Sequence, residues 1–329
     1  MSNFIVEVVR IEKIEKHPNA DLLGICKVFD GYQCVVRLED WKKGDLAAYL
    51  PPDSVVPNTE QFKFLEGHLK IRARRFRGEE SYGMLIPAPE GSVVGDDVAD
   101  ILGIKHYDPE LSAEINSAQG EFQDPPPIDG VIYDIEPWQK YRNEFVEGEE
   151  VVITEKIHGA NSRYTFQNGK MYCGSHYQWK KIPEQGKNLY WNVLEYCPWV
   201  EAFCRLNPDV ILYGEIFGAV QKGFNYGVTQ ECPYKFRAFD VFAAGQFLDY
   251  DDALGGAKSD FLVPVLYRGP YSIEVMQKYV NGLSTIEGAK HIREGCVVKC
   301  IKERYSERLH GRLILKYVSI DYLEDKRKK

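Results

Sequence analysis

The chain has 329 residues, 44% hydrophobic and 27% charged, with a formal net charge of −8. That length exceeds one ordinary core and predicts two domains, while the acidic balance excludes a protein coated in basic charge for nucleic acid. No basic leader with an apolar core opens the chain, and no apolar run nears the ~18 residues that span a bilayer, so a soluble, cytoplasmic protein is expected.

In chain order, residues 1–106 read as short strands. "FIVEVVRIEKI" alternates loosely and stops at the turn "HPNAD". "LLGICKVF", the pair Asp30-Gly31 and "YQCVVRL" predict a hairpin. "LAAYL" ends at Pro51-Pro52, "LKIRARRFR" and "YGMLIP" predict a pair of strands about Gly78, and "GDDVADILGI" carries a short helical stripe. Five or six strands with one short helix suggest a small barrel of the OB type. Within it, Lys70, Arg72, Arg74, Arg75 and Arg77 crowd into eight positions. Lys70, Arg72 and Arg74 alternate, so they share a face, with Phe76 in register for stacking. The bland reading of that strand is a charged, protected sheet edge. A second basic stretch, "DKRKK", ends the chain.

Residues 107–130 are rich in Pro, Ser, Glu and Asp and hold three consecutive prolines, which predicts an interdomain linker. From 131 to 329, strands and helices mix. "KNLYWNVLEYCPWVEAFCRLN" has helical spacing, and "SIEVMQKYVNG" reads as a helix capped by Ser272. "VVITEK", "VILYGEIFG", "YKFRAFDVF", "GCVVKCI" and "GRLILKYVS" read as strands. The second domain is therefore expected to be α+β with antiparallel sheets. Eight cysteines, from Cys26 to Cys300, show no CxxC pair and no zinc spacing, which predicts buried, reduced thiols.

Charges inside those apolar strands are the candidate chemistry. Lys156 ends a buried strand, with Gly159 turning the backbone away three positions later. For the tetrapeptide alone, a lysine snorkelling to solvent is the better explanation. Glu215 lies between Gly214 and Gly218, Asp240 follows Phe239 in an apolar run, Glu294 and Lys299 flank the bend at Gly295, and Lys316 interrupts "LILKYVS". Three lysines and two glutamates in apolar strands should converge, because buried charges need partners.

In order and spacing these segments resemble the motifs of the covalent nucleotidyltransferase superfamily, which includes nucleic-acid ligases and capping enzymes. "EKIHGAN" is similar to the lysine motif of the RNA repair and editing ligases, with His158 where the commoner form has aspartate. "HPNAD", "GD…AYLPPDSVVP" and "KIRARRFRG" resemble the OB module that precedes the catalytic domain in one RNA ligase subfamily. The resemblance implies an α+β chain: an OB-like barrel, then an ATP-grasp-like adenylation domain of antiparallel sheets and flanking helices.

It also implies an ATP-dependent RNA ligase acting on nicked or broken ends, with ATP as substrate and Mg²⁺ or Mn²⁺ as metal. Lys156 would be the nucleophile, and Lys299 and Lys316 would grip phosphate and lower the pKa of Lys156. Glu215 and Glu294 would hold the metal. Phe239 would stack on adenine, Glu155 would meet the nucleoside edge, and Ile157, Asn161 and His158 would complete the site. RNA would lie on Lys70, Arg72, Arg74, Arg75 and Arg77.

Two departures stand out: His176 where relatives often carry arginine, and Ile314 where the last motif often has a further lysine. A DNA ligase, a capping guanylyltransferase and a non-catalytic RNA-binding protein on the same scaffold remain the alternatives.

Overall fold

The computed structural model describes residues 4–107, 122–184, 188–254, 256 and 258–325. Part of the expected linker (108–121) and most of the basic tail (326–329) lie outside the described residues. Contacts divide the chain into two compact units. One holds the residues up to 107 with Trp138–Asn143, and the other holds 122–137 with everything from Glu144 onward. From Phe122 the expected linker is bound to the second unit. The Gln167 side chain donates to the Ile128 carbonyl (2.8 Å) and accepts from its N–H (2.8 Å).

The first unit contains β1 (Glu7–Arg10), β2 (Ile14–Lys16), β3 (Leu23–Lys27), β4 (Gln33–Arg37), β5 (Leu46–Leu50), β6 (Ser54–Val55), β7 (Arg74–Phe76), β8 (Glu79–Ser81), β9 (Met84–Pro87) and β10 (Lys105–His106). They pair as β1-β5-β9, β2-β3-β4, β7-β8 and β10-β6. The predicted hairpin forms, with Leu23 opposite Arg37. The expected opening strand is two strands in different sheets, divided where Ile11 turns into the interior. The pair about Gly78 also differs: β7 returns immediately as β8, while β9 pairs with β5. Alternating burial builds the core of Val8, Ala48, Leu50, Ile71, Ile86 and Val98.

The second unit contains β11 (Glu136–Pro137), β12 (Glu150–Lys156), β13 (Ala160–Gln167), β14 (Lys170–Ser175), β15 (Trp179–Lys180), β16 (Ile211–Gly218), β17 (Tyr234–Ala243), β18 (Gln246–Phe247), β19 (Val265–Pro270), β20 (Gly295–Cys300), β21 (Tyr305–Ser306), β22 (Gly311–Arg312) and β23 (Ile314–Val318). One sheet runs β11-β23-β20-β12-β19 and the other β15-β14-β13-β16-β17-β18. All their pairings are antiparallel except β11 with β23. Between the sheets lie Ile211, Tyr213 and Phe242 from one and Val297 and Ile314 from the other.

The expected single helix after residue 188 is two helices, Leu189–Tyr196 and Pro198–Leu206. Pro198 has no N–H to continue the first, so it starts the second at the position where a missing donor does no harm. Ser272 caps the helix Ile273–Val280, accepting from the Val275 N–H at 3.1 Å. All eight cysteines are free, and burial raises the pKa of the Cys26, Cys296 and Cys300 thiols, with Cys296 at about 12. Among the described residues, no helix is long and apolar enough to cross a membrane.

Candidate active site

Strand register decides which charges share a face. Val152 lies opposite Lys299, Lys156 opposite Gly295, and Val297 opposite both Thr154 and Lys316. Directly paired residues of a sheet project to the same side, and so do alternate residues of a strand. Lys156, Lys299 and Lys316 therefore stand on one face of the five-stranded sheet. Glu155, one residue earlier on β12, projects from the other.

At Lys156 the chain leaves this sheet and enters β13 of the six-stranded one within three residues. Gly159 makes the crossing possible by close approach. A Cβ there would sit 2.0 Å from the Ile216 carbonyl oxygen. Its backbone is not in the left-handed region, so the expected turning role is replaced by a packing one. Beyond it, Asn161 lies opposite Glu215, on a neighbouring strand. Phe239 is the extra residue of a β-bulge, since Tyr213 pairs with Asp240 but Gly214 with Ala238.

The Lys156 Nζ is 3.1 Å from Glu294 Oε1, and His158 Nδ1 is 3.7 Å from Glu294 Oε2. Burial pushes the Lys156 ammonium toward neutrality, but Glu294 and Glu215 outweigh it and hold its pKa above the usual lysine value. Burial likewise opposes the Glu294 carboxylate, while Lys156 and His158 hold it down at about 2. Among the side chains, the carboxylates therefore outweigh the lowering expected from Lys299 and Lys316. Lys316 is different. It makes no hydrogen bond to another described residue, and burial and then Lys156 lower its pKa against the pull of Asp134, Glu136 and Glu294. A half-buried cation of this kind beside a lysine–carboxylate pair can receive a phosphate.

Residues 149–318, just over half the chain, match the family model described as RNA ligase. This chain belongs to the RNA ligase family. Residues 5–88 of the ligase match a model of an OB-fold domain. Its fold is similar to that of Naegleria gruberi RNA ligase. A mutant of that protein solved with ATP and Mn is 23% identical, covers 98% of this chain and 99% of that one, and gives a TM-score of 0.77. The same protein solved with PPi gives 23%, 98%, 98% and 0.77. A shorter similarity links the ligase to the phenylalanine–tRNA ligase beta subunit of Geobacter metallireducens, 31% identical over 131 residues. That match takes in 34% of this chain and 15% of that protein. For Geobacter sulfurreducens the identity is 37% over 83 residues, 24% of this chain and 9% of the relative. The chain thus spans only a small part of the length of these curated relatives.

Several side chains sit elsewhere than the sequence suggests. The Glu155 carboxylate is 1% exposed and accepts from Ser284 Oγ (2.5 Å), the Thr285 N–H (2.7 Å) and Thr285 Oγ1 (2.7 Å). It fastens the 284–285 loop to β12, leaving little for a nucleoside. The Ile157 side chain is buried among Phe217, Phe224 and Tyr226, so only its backbone can face a ligand. Lys299 Nζ is held 3.0 Å from Asp240 Oδ1 and donates to the Phe239 carbonyl at 3.2 Å. His158 donates its backbone N–H to the Tyr226 hydroxyl (2.7 Å), and its ring lies edge-on to Phe224 and Tyr322. Phe239 lies 4.6 Å, ring to ring, from Tyr133. Ile314 is buried opposite Lys299, so the departure there fills core volume. His176 packs edge-on against Tyr177.

Sequence reasoning missed the partners. Asp240 is fully buried and receives the Tyr133 hydroxyl (2.6 Å) and Arg312 (2.7 Å) as well as Lys299. Arg312 reaches on to Glu303 and lies over the Phe247 ring. The available signal was Arg312 itself, two residues before Ile314 and so in phase with Lys316.

In the OB module, Arg72, Arg74 and Phe76 are exposed while Ile71 and Ala73 are buried, so the expected alternation is present although only Arg74–Phe76 is strand. Lys70 is engaged by Asp53 at 2.8 Å and lies 3.5 Å above the Tyr107 ring. Arg75 turns to Glu80. Arg72, Arg74 and Arg77 make no ion pair among the described residues.

Proposed function

We propose that this chain is an ATP-dependent RNA ligase that joins a 3′-hydroxyl to a 5′-phosphate in RNA repair or nick sealing. The observation that carries the reading is the placing of Lys156 and the uncommitted Lys316 on one sheet face, with Glu294 paired to Lys156 at 3.1 Å. The Lys156 amine attacks the α-phosphorus of ATP, an N–P bond forms, and pyrophosphate leaves. Lys156 must first give up its proton and its contact with Glu294. Lys316 receives the α-phosphate and offsets negative charge in the transition state, with Lys299 behind it, oriented by Asp240. AMP then moves from Lys156 to the 5′-phosphate, and the 3′-hydroxyl displaces AMP to close the phosphodiester. These steps depend on alignment more than on an exceptional base.

The residues fit a divalent metal. Glu294 Oε2 is buried with no hydrogen bond to another described residue, and Glu215 lies close enough to act on Lys156. No group of three or more metal-ligating side chains exists among the described residues. That suits Mg²⁺ or Mn²⁺ arriving on the nucleotide, which needs only one or two carboxylates besides phosphate. Held by Glu215 and Glu294, such an ion supplies charge neutralisation at the phosphates. Asn161 and His158 flank this position, and Phe239 offers a ring to adenine. Residues 1–106 serve as the nucleic-acid module and 131–329 as the adenylation domain. Eight unpaired thiols support a cytoplasmic setting.

The test is label from α-labelled ATP that survives denaturation in the presence of a divalent metal. Wild type should carry it and Lys156→Ala should not. An unlabelled wild type, or a labelled Lys156→Ala, sinks the mechanism, and label from GTP alone points to capping. Nick sealing with RNA or DNA as the 3′-hydroxyl strand decides the substrate, with an RNA requirement expected.

A further inference from the structure

We propose that the β7–β8 hairpin of the OB module, with Arg72 beside it, is a stacking surface for an unpaired RNA strand. Its contacts are Arg72, Arg74, Phe76 and Arg77, and its shape is set by His17 and Asn19. The proposal rests on the RNA ligase reading for the identity of the polymer and deepens it.

The turn of this hairpin is unusual. Arg77 and Gly78 both have left-handed backbones, at φ 48° and 97°. Two-residue hairpin turns of this kind favour Asn or Asp before Gly, because a large side chain is strained there. A turn whose only task was to close the hairpin has no need of arginine. Strain of this sort persists where surrounding groups over-determine the backbone, and two side chains from the HPNAD loop do so.

His17 is 1% exposed. Its Nδ1 accepts the Asn19 N–H at 3.0 Å, so Nε2 carries the proton and donates to the Phe76 carbonyl at 2.9 Å. Asn19 Nδ2 donates to the Arg77 carbonyl at 3.0 Å. Two consecutive carbonyls of the hairpin are thus clamped from a loop nearly sixty residues earlier, and the side chains of Phe76 and Arg77 are left outward.

What they present is specific. Phe76 is 37% exposed, with the Arg74 guanidinium 5.6 Å from its ring centroid. Arg72, Arg74 and Arg77 carry no ion pair among the described residues, on a chain whose net charge is −8. A merely protective sheet edge would tolerate paired charges, as Lys70 and Arg75 are paired. A duplex offers this surface only phosphates and would leave the ring without a partner. An unpaired strand offers both phosphates and base faces.

The experiment is fluorescence anisotropy on the full chain, with an unpaired RNA of about a dozen nucleotides and a blunt RNA duplex of equal length. Phe76→Ala should weaken the unpaired probe about 5-fold or more and the duplex by less than about 2-fold. Arg74→Ala should lower the salt slope for the unpaired probe by roughly 0.7, the value for one lost single-strand phosphate contact. His17→Ala should mimic Phe76→Ala, and His17→Gln, whose amide can still donate to the Phe76 carbonyl, should restore most of the affinity. Equal weakening of both probes, or none on the unpaired one, overturns the surface. A His17→Gln no better than His17→Ala, with an unchanged melting temperature, overturns the positioning role. If wild type takes no label from α-labelled ATP yet Phe76→Ala still loses the unpaired strand, the ligase reading fails and this surface stands.

Discussion

Lys156 and Glu294 hold each other, 3.1 Å apart, from the end of β12 and the residue before β20. The pair stabilises within a definite pH window. Glu294 sits at about 2, so its contribution is present above the ordinary carboxyl value and fades as pH falls toward 2. Lys156 is raised, so its contribution is present below the ordinary lysine value and fades as pH rises past the folded one. Both are present together from roughly pH 5 to 10. Replacing Glu294 with Gln removes the larger of the two carboxylate influences on Lys156. The pH midpoint for Lys156 acylation, followed by peptide mass spectrometry without ATP, should then move to lower pH. An unmoved midpoint would mean that Glu294 does not set the charge of Lys156.

Asp240 joins Lys299, Arg312 and Tyr133 with no exposure to solvent. Asp240→Ala leaves two cations facing each other in a buried site, and breaking such a pair is expected to remove about 3–5 kcal/mol. Urea unfolding, following the transition of the second unit, measures it. A loss below about 1 kcal/mol would reduce the network to the worth of a surface contact.

Glu155 separates a structural from a nucleotide-binding role. Three hydrogen bonds to a buried carboxylate predict that Glu155→Ala destabilises by about 2–4 kcal/mol. In Glu155→Gln the amide oxygen can keep some of these bonds, so the loss should be smaller, with the KM for ATP near that of wild type. A raised KM at unchanged stability would return Glu155 to the nucleoside edge.

Reversing the charges at Arg72 and Arg74 should weaken nick sealing more than self-adenylylation, because neither residue belongs to the unit that holds Lys156. The deficit should shrink as salt is raised, because wild type loses phosphate contacts that the variant already lacks and screening weakens the introduced repulsion. Equal loss of both activities would make the patch structural.

Much of this was legible because local physics acts over a few residues. Alternation placed Ile71 and Ala73 inward and Arg72 and Arg74 outward, and the Asp30-Gly31 pair announced its hairpin. Lys156, Glu294 and Lys316 were visible as charges that apolar strands cannot bury alone. Pro198 was legible too, though helical spacing across it suggested one helix where the missing N–H enforces two.

The primary sequence determined which side chains could do phosphoryl chemistry and in what order, since residue type and strand periodicity are properties of neighbouring positions. Only the tertiary structure decided the partners. Register across three strands put Lys156, Lys299 and Lys316 on one face and Glu155 on the other, and a bulge at Phe239 brought Asp240 under Lys299. Gly159 is required by a carbonyl from β16, nearly sixty residues away. Such pairings depend on which strands become neighbours, and a one-residue change of register would have reversed every one of those faces.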